Sequence, residues 1–106
     1  HSSIKNISIP LRLNKIGERA FYSCKKINHI TIPINSELKI IDKEAFAYSS
    51  ISSLFIPFSL NSINDNAFNF CGNLKIIEIN VDFEIKKFKN NIFEGCVNVI
   101  ILIPVK

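Results

Sequence analysis

Hydrophobic and polar residues alternate along this chain in short bursts that return at a fixed interval. Ile7/Ile9, Ile30/Ile32, Leu54/Ile56, Ile77/Ile79 and Ile101/Ile103 are apolar pairs two residues apart, each with a different residue between its members. A spacing of two puts both members on one side of an extended segment, so each burst predicts a short strand with one buried face. The second member falls at positions 9, 32, 56, 79 and 103, in steps of 23, 24, 23 and 24 residues, and proline follows it in four cases of five. A fixed period of this length is the signature of a solenoid, in which each unit touches its neighbours and the array has no set length. Strands that recur once per coil in the same direction must stack as a parallel sheet. Proline has no amide to donate, which suits it to the strand's end.

Between the strands a second pattern repeats. The next apolar anchors are Ile16, Ile41, Ile63 and Phe88, followed at once by Gly17, Asp42, Asn64 and Lys89. The first three of those followers tolerate left-handed or tight backbone, so the chain is expected to turn there. Ala20-Phe21, Ala45-Phe46, Ala67-Phe68 and Ile92-Phe93 come next. A small residue beside a large one predicts a crowded helical or 3₁₀ turn opposite the strands. If equivalent residues lie over one another, Phe21, Phe46, Phe68 and Phe93 form a ladder through the interior. Each buried ring contributes roughly 1.5–3 kcal/mol before entropy. Pro33 to Ile41 and Asn80 to Phe88 run two residues longer than Pro10 to Ile16 and Pro57 to Ile63, so bulges are expected at 34–37 and 81–84. One array over 4–106 results, with repeats at about 4–26, 27–50, 51–73 and 74–98 and a partial repeat at 99–106.

Composition changes this picture little. A hydrophobic content of 47% suffices for a continuous core, and 21% charged residues suits a soluble chain. Nothing approaches the roughly 18 uninterrupted apolar residues of a membrane helix, so no membrane insertion is expected within this segment. The formal charge of +4 raises a nucleic-acid reading. That reading needs the cations gathered on one face. They concentrate only at Lys25-Lys26 and at Lys86, Lys87 and Lys89, with Glu84 and Glu94 beside the latter, which reads as solvated surface. The chain starts at His1 without Met, as a fragment or processed form would, and neither end carries a polar cap. End-on self-association or truncation is therefore expected.

Candidate chemistry is sparse. Cys24, Cys71 and Cys96 share one repeat position and form no C-x₂-C pair, so they read as buried, reduced thiols packing like small hydrophobes rather than metal ligands. Cys71 and Cys96 on neighbouring coils are close enough for a disulfide, but their parallel side-chain directions argue against one. His29 falls on the outward side of its strand, with no Asp or Glu in its column, and reads as an exposed bystander. The three glycines form no phosphate cradle. Asn6-Ile7-Ser8 fits the glycosylation acceptor pattern, although its middle residue is a core position. No catalytic residue, metal or cofactor is assigned.

The sheet's outer face is where the sequence points to function. Residues flanking the inward positions form two columns, Asn6, His29, Ser53, Ile76, Ile100 and Ser8, Thr31, Phe55, Glu78, Leu102. Early coils present small polar groups, and later ones present Phe55, Ile76, Ile100 and Leu102 around Glu78. A contiguous apolar patch of a few hundred Å² usually marks a contact. These five residues are the candidate partner-binding set, unless absent chain or a second copy covers Ile100 and Leu102.

The combined pattern, I-x-I-P, then I-G/D/N, then A-F-x-x-C on a 23–24-residue beat, resembles the BspA-like branch of the leucine-rich repeats over about residues 4–104. Ser49 in the Cys column, Asn80 in the Pro column, and Lys89 and Ile92 in the fourth coil depart from it. The resemblance implies an α/β repeat solenoid, a right-handed coil with a short parallel sheet on one face and 3₁₀ or helical turns on the other. It also implies a non-enzymatic, protein-binding module of a cell-surface or extracellular adhesin or surface antigen, engaging host matrix or cell-surface proteins. An intracellular scaffold or cytoplasmic assembly subunit built from the same stack is the alternative.

Overall fold

The computed structural model describes residues 5–79, 91–97 and 99–102, which wind as a parallel β-solenoid of about four turns. Its strands are β1 (Lys5–Ser8), β2 (Lys15–Ile16), β3 (Ile27–Thr31), β4 (Ile40–Ile41), β5 (Ser53–Ile56), β6 (Ser62–Ile63), β7 (Ile76–Ile79) and β8 (Ile100–Leu102). Five of them form one sheet in the order β1-β3-β5-β7-β8. All its pairings are parallel, and the inward residues Ile7, Ile30, Leu54, Ile77 and Ile101 stand in register from coil to coil. Ile9, Ile32, Ile56 and Ile79 form a second buried column beside them. The expected Ile103, Phe88, Lys89, the lysines at 86 and 87 and the bulge at 81–84 lie outside the described residues.

The anchors Ile16, Ile41 and Ile63 do more than fill space. Each is the second residue of a two-residue strand, and β2, β4 and β6 pair in parallel as a second, three-stranded sheet. Leu38 and Leu60 are fully buried in the approach to this sheet, with Leu13 partly buried at the equivalent point of the first coil. In coils one and three the leucine amide bonds back to the proline carbonyl, Leu13 to Pro10 and Leu60 to Pro57. In coil two the Pro33 carbonyl takes the Ser36 amide instead, and the Ser36 hydroxyl accepts from the Leu38 amide at 3.0 Å. The extra pair is thus absorbed as a bulge, with Ile34 on its tip 76% exposed, and Leu38 rejoins the column.

The far side of each coil departs from the helical expectation: no helix occurs among the described residues. Within the arc 17–24, the amides of Ala20, Tyr22 and Cys24 bond three residues back, while those of Arg19, Phe21 and Ser23 reach carbonyls of the next coil. The second coil repeats the alternation through Ala45, Ala47 and Ser49 against Glu44, Phe46 and Tyr48. A 3₁₀ helix needs consecutive local bonds, and spending every second amide on a neighbour forbids it and leaves separate tight turns. Left-handed residues interrupt the arc as well, Arg19, Glu44 and Asn66 with φ of 57°, 55° and 61°, and Ser23, Tyr48 and Phe70 with 56°, 61° and 55°. The left-handed backbone therefore falls two residues beyond Gly17, Asp42 and Asn64, at the third position of the turn that each of them opens, the sign a type II turn requires.

The aromatic ladder forms as the repeat demands. Phe21, Phe46, Phe68 and Phe93 stack with centroids 5.3, 5.4 and 5.7 Å apart and planes within 14°. Phe46 and Phe68 are fully buried, and Phe21 and Phe93 partly so. Ala45 and Ala67 beside them have no exposure, so the small-next-to-large pair is a packing requirement in the middle coils.

The turn-opening column is polar because it joins coils. The Asn64 side chain donates to Asp42 Oδ1 at 2.8 Å, the Lys43 amide donates to the same oxygen at 2.7 Å, and Lys15 Nζ lies 3.2 Å from Oδ2. These donors, Asn64 foremost, hold the Asp42 carboxyl below its ordinary value. A depressed carboxylate adds stability above the unfolded value near ~4 and loses it as pH falls through the folded value. The difference in unfolding free energy between wild type and Asp42→Asn should therefore be constant near neutrality and shrink below about pH 4 in denaturant titrations. A difference unchanged by acid would show that the carboxylate adds nothing here. Arg19 and Glu44, 2.8 Å apart, make a second link between the first two coils, at the surface where solvent screens it.

Candidate functional site

The outer face of the five-stranded sheet carries the two expected columns. Asn6, His29, Ser53, Ile76 and Ile100 pair successively, as do Phe55, Glu78 and Leu102, with Ser8 opposite Thr31. Ile76, Ile100 and Leu102 are 37%, 56% and 46% exposed, and Glu78 is open to solvent beside them. Phe55 differs from the expected open ring: it is half-buried, and it lines a shallow cavity of about 210 Å³ with His29, Ser53, Ile76 and Glu78. His29 also differs. It is half-buried, with Nδ1 3.2 Å from the Ser53 hydroxyl on the next coil, rather than free in solvent.

The thiols are free, as their shared column predicts, but unequal in burial. Cys71 is fully buried, whereas Cys24 and Cys96 are only partly so. The Cys71 thiol donates to the Phe46 carbonyl at 2.9 Å and the Cys96 thiol to the Phe68 carbonyl at 3.0 Å, so each ties the arc to the coil before it. The neighbouring Cys96 thiol and burial push the Cys71 thiol above its usual range. Ser49, in the same column, lies 3.5 Å from Cys71 Sγ and continues the polar line across the coil that lacks a cysteine.

On the opposite side runs a feature the repeat pattern hides. Tyr22, Tyr48 and Phe70 form an exposed ridge with centroids 5.5 and 5.2 Å apart, and the Arg19 guanidinium sits 4.9 Å from the centre of the Tyr22 ring. Tyr22 is one residue past Phe21, while Tyr48 and Phe70 are two past Phe46 and Phe68. The ridge crosses columns, so a search by repeat position cannot assemble it. Glu18, Asp42, Lys43, Asn64 and Asp65 line a further surface cavity of about 270 Å³. No group of three or more His, Cys, Asp or Glu among the described residues could hold a metal ion.

Of the places described, the sheet face alone joins an open apolar patch, a cavity and an isolated charge on one rigid element. Compared with known families, residues 1–102 match the model described as a BspA type leucine rich repeat region, in six copies. No curated protein and no solved structure matches the chain.

Proposed function

Because this chain belongs to the BspA-type leucine-rich repeat family, we propose that it is a protein-binding module of a cell-surface adhesin or surface antigen, forming part of a longer chain and docking its partner on the outer face of the five-stranded sheet. Solenoids present extended surfaces rather than enclosed pockets, and families of this kind typically serve as interaction modules. The observation that carries the reading is the patch of Ile76, Ile100 and Leu102, exposed at 37%, 56% and 46% on adjacent strands. Backbone held in register in a sheet pays no loop-ordering cost when its side chains are covered, which favours a contact there. Surface proteins carrying repeats of this type engage host matrix or other cell surfaces, so such proteins are the partners to try first.

The test is binding of the purified protein to immobilised collagen, fibronectin and laminin, and to intact host cells. Phe55→Asp or Ile100→Asp should weaken the strongest of these interactions about tenfold or more, as central contact residues do. Circular dichroism and the denaturation midpoint should stay near wild type, since neither side chain belongs to the buried core. Binding unchanged by both substitutions would move the site off this face.

A further inference from the structure

The apolar patch encloses a carboxylate. Glu78 stands between Phe55 and Leu102 in its column, with Ile76 two residues before it on the same strand and Ile100 diagonally across. It is exposed and has no ion-pair or hydrogen-bond partner among the described residues. The chain as a whole has 13 Lys and Arg against 9 Asp and Glu, yet within the two outward columns Glu78 is the single formal charge. A basic protein therefore turns one unpaired negative charge outward within this apolar patch.

That placement restricts what can dock. Neighbouring strands are about 4.7–4.9 Å apart, so no partner can cover Ile76, Ile100 and Leu102 without also covering Glu78. A carboxylate stripped of water and left unpaired costs more than the surrounding aliphatic contact returns. A basic group placed against it removes that cost and adds a charge-assisted hydrogen bond. The adjoining cavity of about 210 Å³, running from Glu78 past Phe55 to Ser53 and His29, is smaller than the ~300 Å³ at which small-molecule sites begin. Its scale is that of one protruding side chain. Phe55 lines this cavity, and an aromatic wall suits a cation, a contact arginine makes more often than lysine.

Resting on the reading of the sheet face as the docking surface, we propose that the partner presents one basic side chain, arginine in preference to lysine, flanked by aliphatic residues. Its cation pairs with Glu78 from the cavity, and the flanking groups cover Ile76, Ile100 and Leu102. The same arrangement excludes partners that offer an acidic or purely apolar segment, because either leaves the carboxylate buried against nothing that satisfies it.

The test is selection from a random dodecapeptide display library on the immobilised protein, in parallel on Glu78→Gln, Glu78→Lys and Ile100→Asn, all at exposed positions. Wild type should enrich peptides with Arg or Lys between aliphatic residues. The best of them, made synthetically, should bind Glu78→Gln about tenfold more weakly and Glu78→Lys more weakly still, while Glu78→Lys should itself enrich acidic peptides. Peptides that are lost on Ile100→Asn but carry no basic enrichment, and bind Glu78→Gln as they bind wild type, would overturn the inference and leave the docking face in place. Peptides indifferent to all three substitutions would overturn both.

Discussion

Phe68→Ala should lower the unfolding free energy by about 3–5 kcal/mol, measured by urea or guanidinium denaturation followed by circular dichroism. Phe68 is fully buried, and its ring stacks on Phe46 at 5.4 Å and Phe93 at 5.7 Å. Truncation removes transfer energy and leaves a cavity that cannot collapse, because the backbone on either side is pinned. The Phe68 amide bonds to the Ile92 carbonyl and the Phe46 amide to the Ala67 carbonyl. Two stacking contacts disappear with the ring, each worth roughly 0.5–1.5 kcal/mol beyond area burial. Phe21→Ala provides the internal comparison: Phe21 is partly exposed and has one stacking partner, so its loss should be clearly the smaller. Equal losses at the two positions would mean that the ladder is not the continuous stabilising column it looks to be.

Gly95→Ala should cost more than the ~1–2 kcal/mol of placing an alanine in left-handed backbone, and the excess should vanish when Phe70 is also replaced. Gly95 has φ of 81° in the arc column where Ser23, Tyr48 and Phe70 adopt 56°, 61° and 55° with side chains in place. Left-handed backbone alone therefore does not demand glycine here. The ring of Phe70 does, since it lies across Gly95 where a Cβ would be, closer to three of its carbons than any van der Waals contact allows. The double-mutant cycle of Gly95→Ala with Phe70→Ala isolates this steric term. In the Phe70→Ala background the glycine substitution should cost only the ~1–2 kcal/mol of a left-handed alanine. An identical cost in both backgrounds would show that the exposed Phe70 ring swings aside freely.

What the sequence made legible follows from what repeats. A column of side chains returns every coil, and four or five copies average away local irregularity. The strands, the inward pairs, the phenylalanine ladder and the two outward columns could therefore be placed residue by residue. The second sheet could not, because β2, β4 and β6 are two residues long and period-two alternation needs more than that to register. The arc reads as helical from its sequence for a related reason. Ala-Phe pairs suit a tight helix as well as an alternating one, and only the lateral bonds of Arg19, Phe21 and Ser23 distinguish them. At the sheet face, register gave the neighbours of Glu78, but rotamers decide how far Phe55 lies over and that His29 meets Ser53. Neither is written in spacing.

The alternating amides of the arc also explain where this architecture accepts a change of length. From Gly17 to Cys24, Asp42 to Ser49 and Asn64 to Cys71 the arc is eight residues in every coil, although the coils themselves differ in size. One added residue there would exchange the roles of all that follow, aiming inward-bonding amides at the neighbour and lateral ones into the turn, and would carry the phenylalanine off its stack. The stretch after proline has no such parity, and coil two took two more residues at Ser36-Glu37 while keeping Ile40 and Ile41 paired with Lys15 and Ile16. Insertions, tags and grafted loops belong on that edge, where the winding tolerates slack, and not on the side where it keeps count.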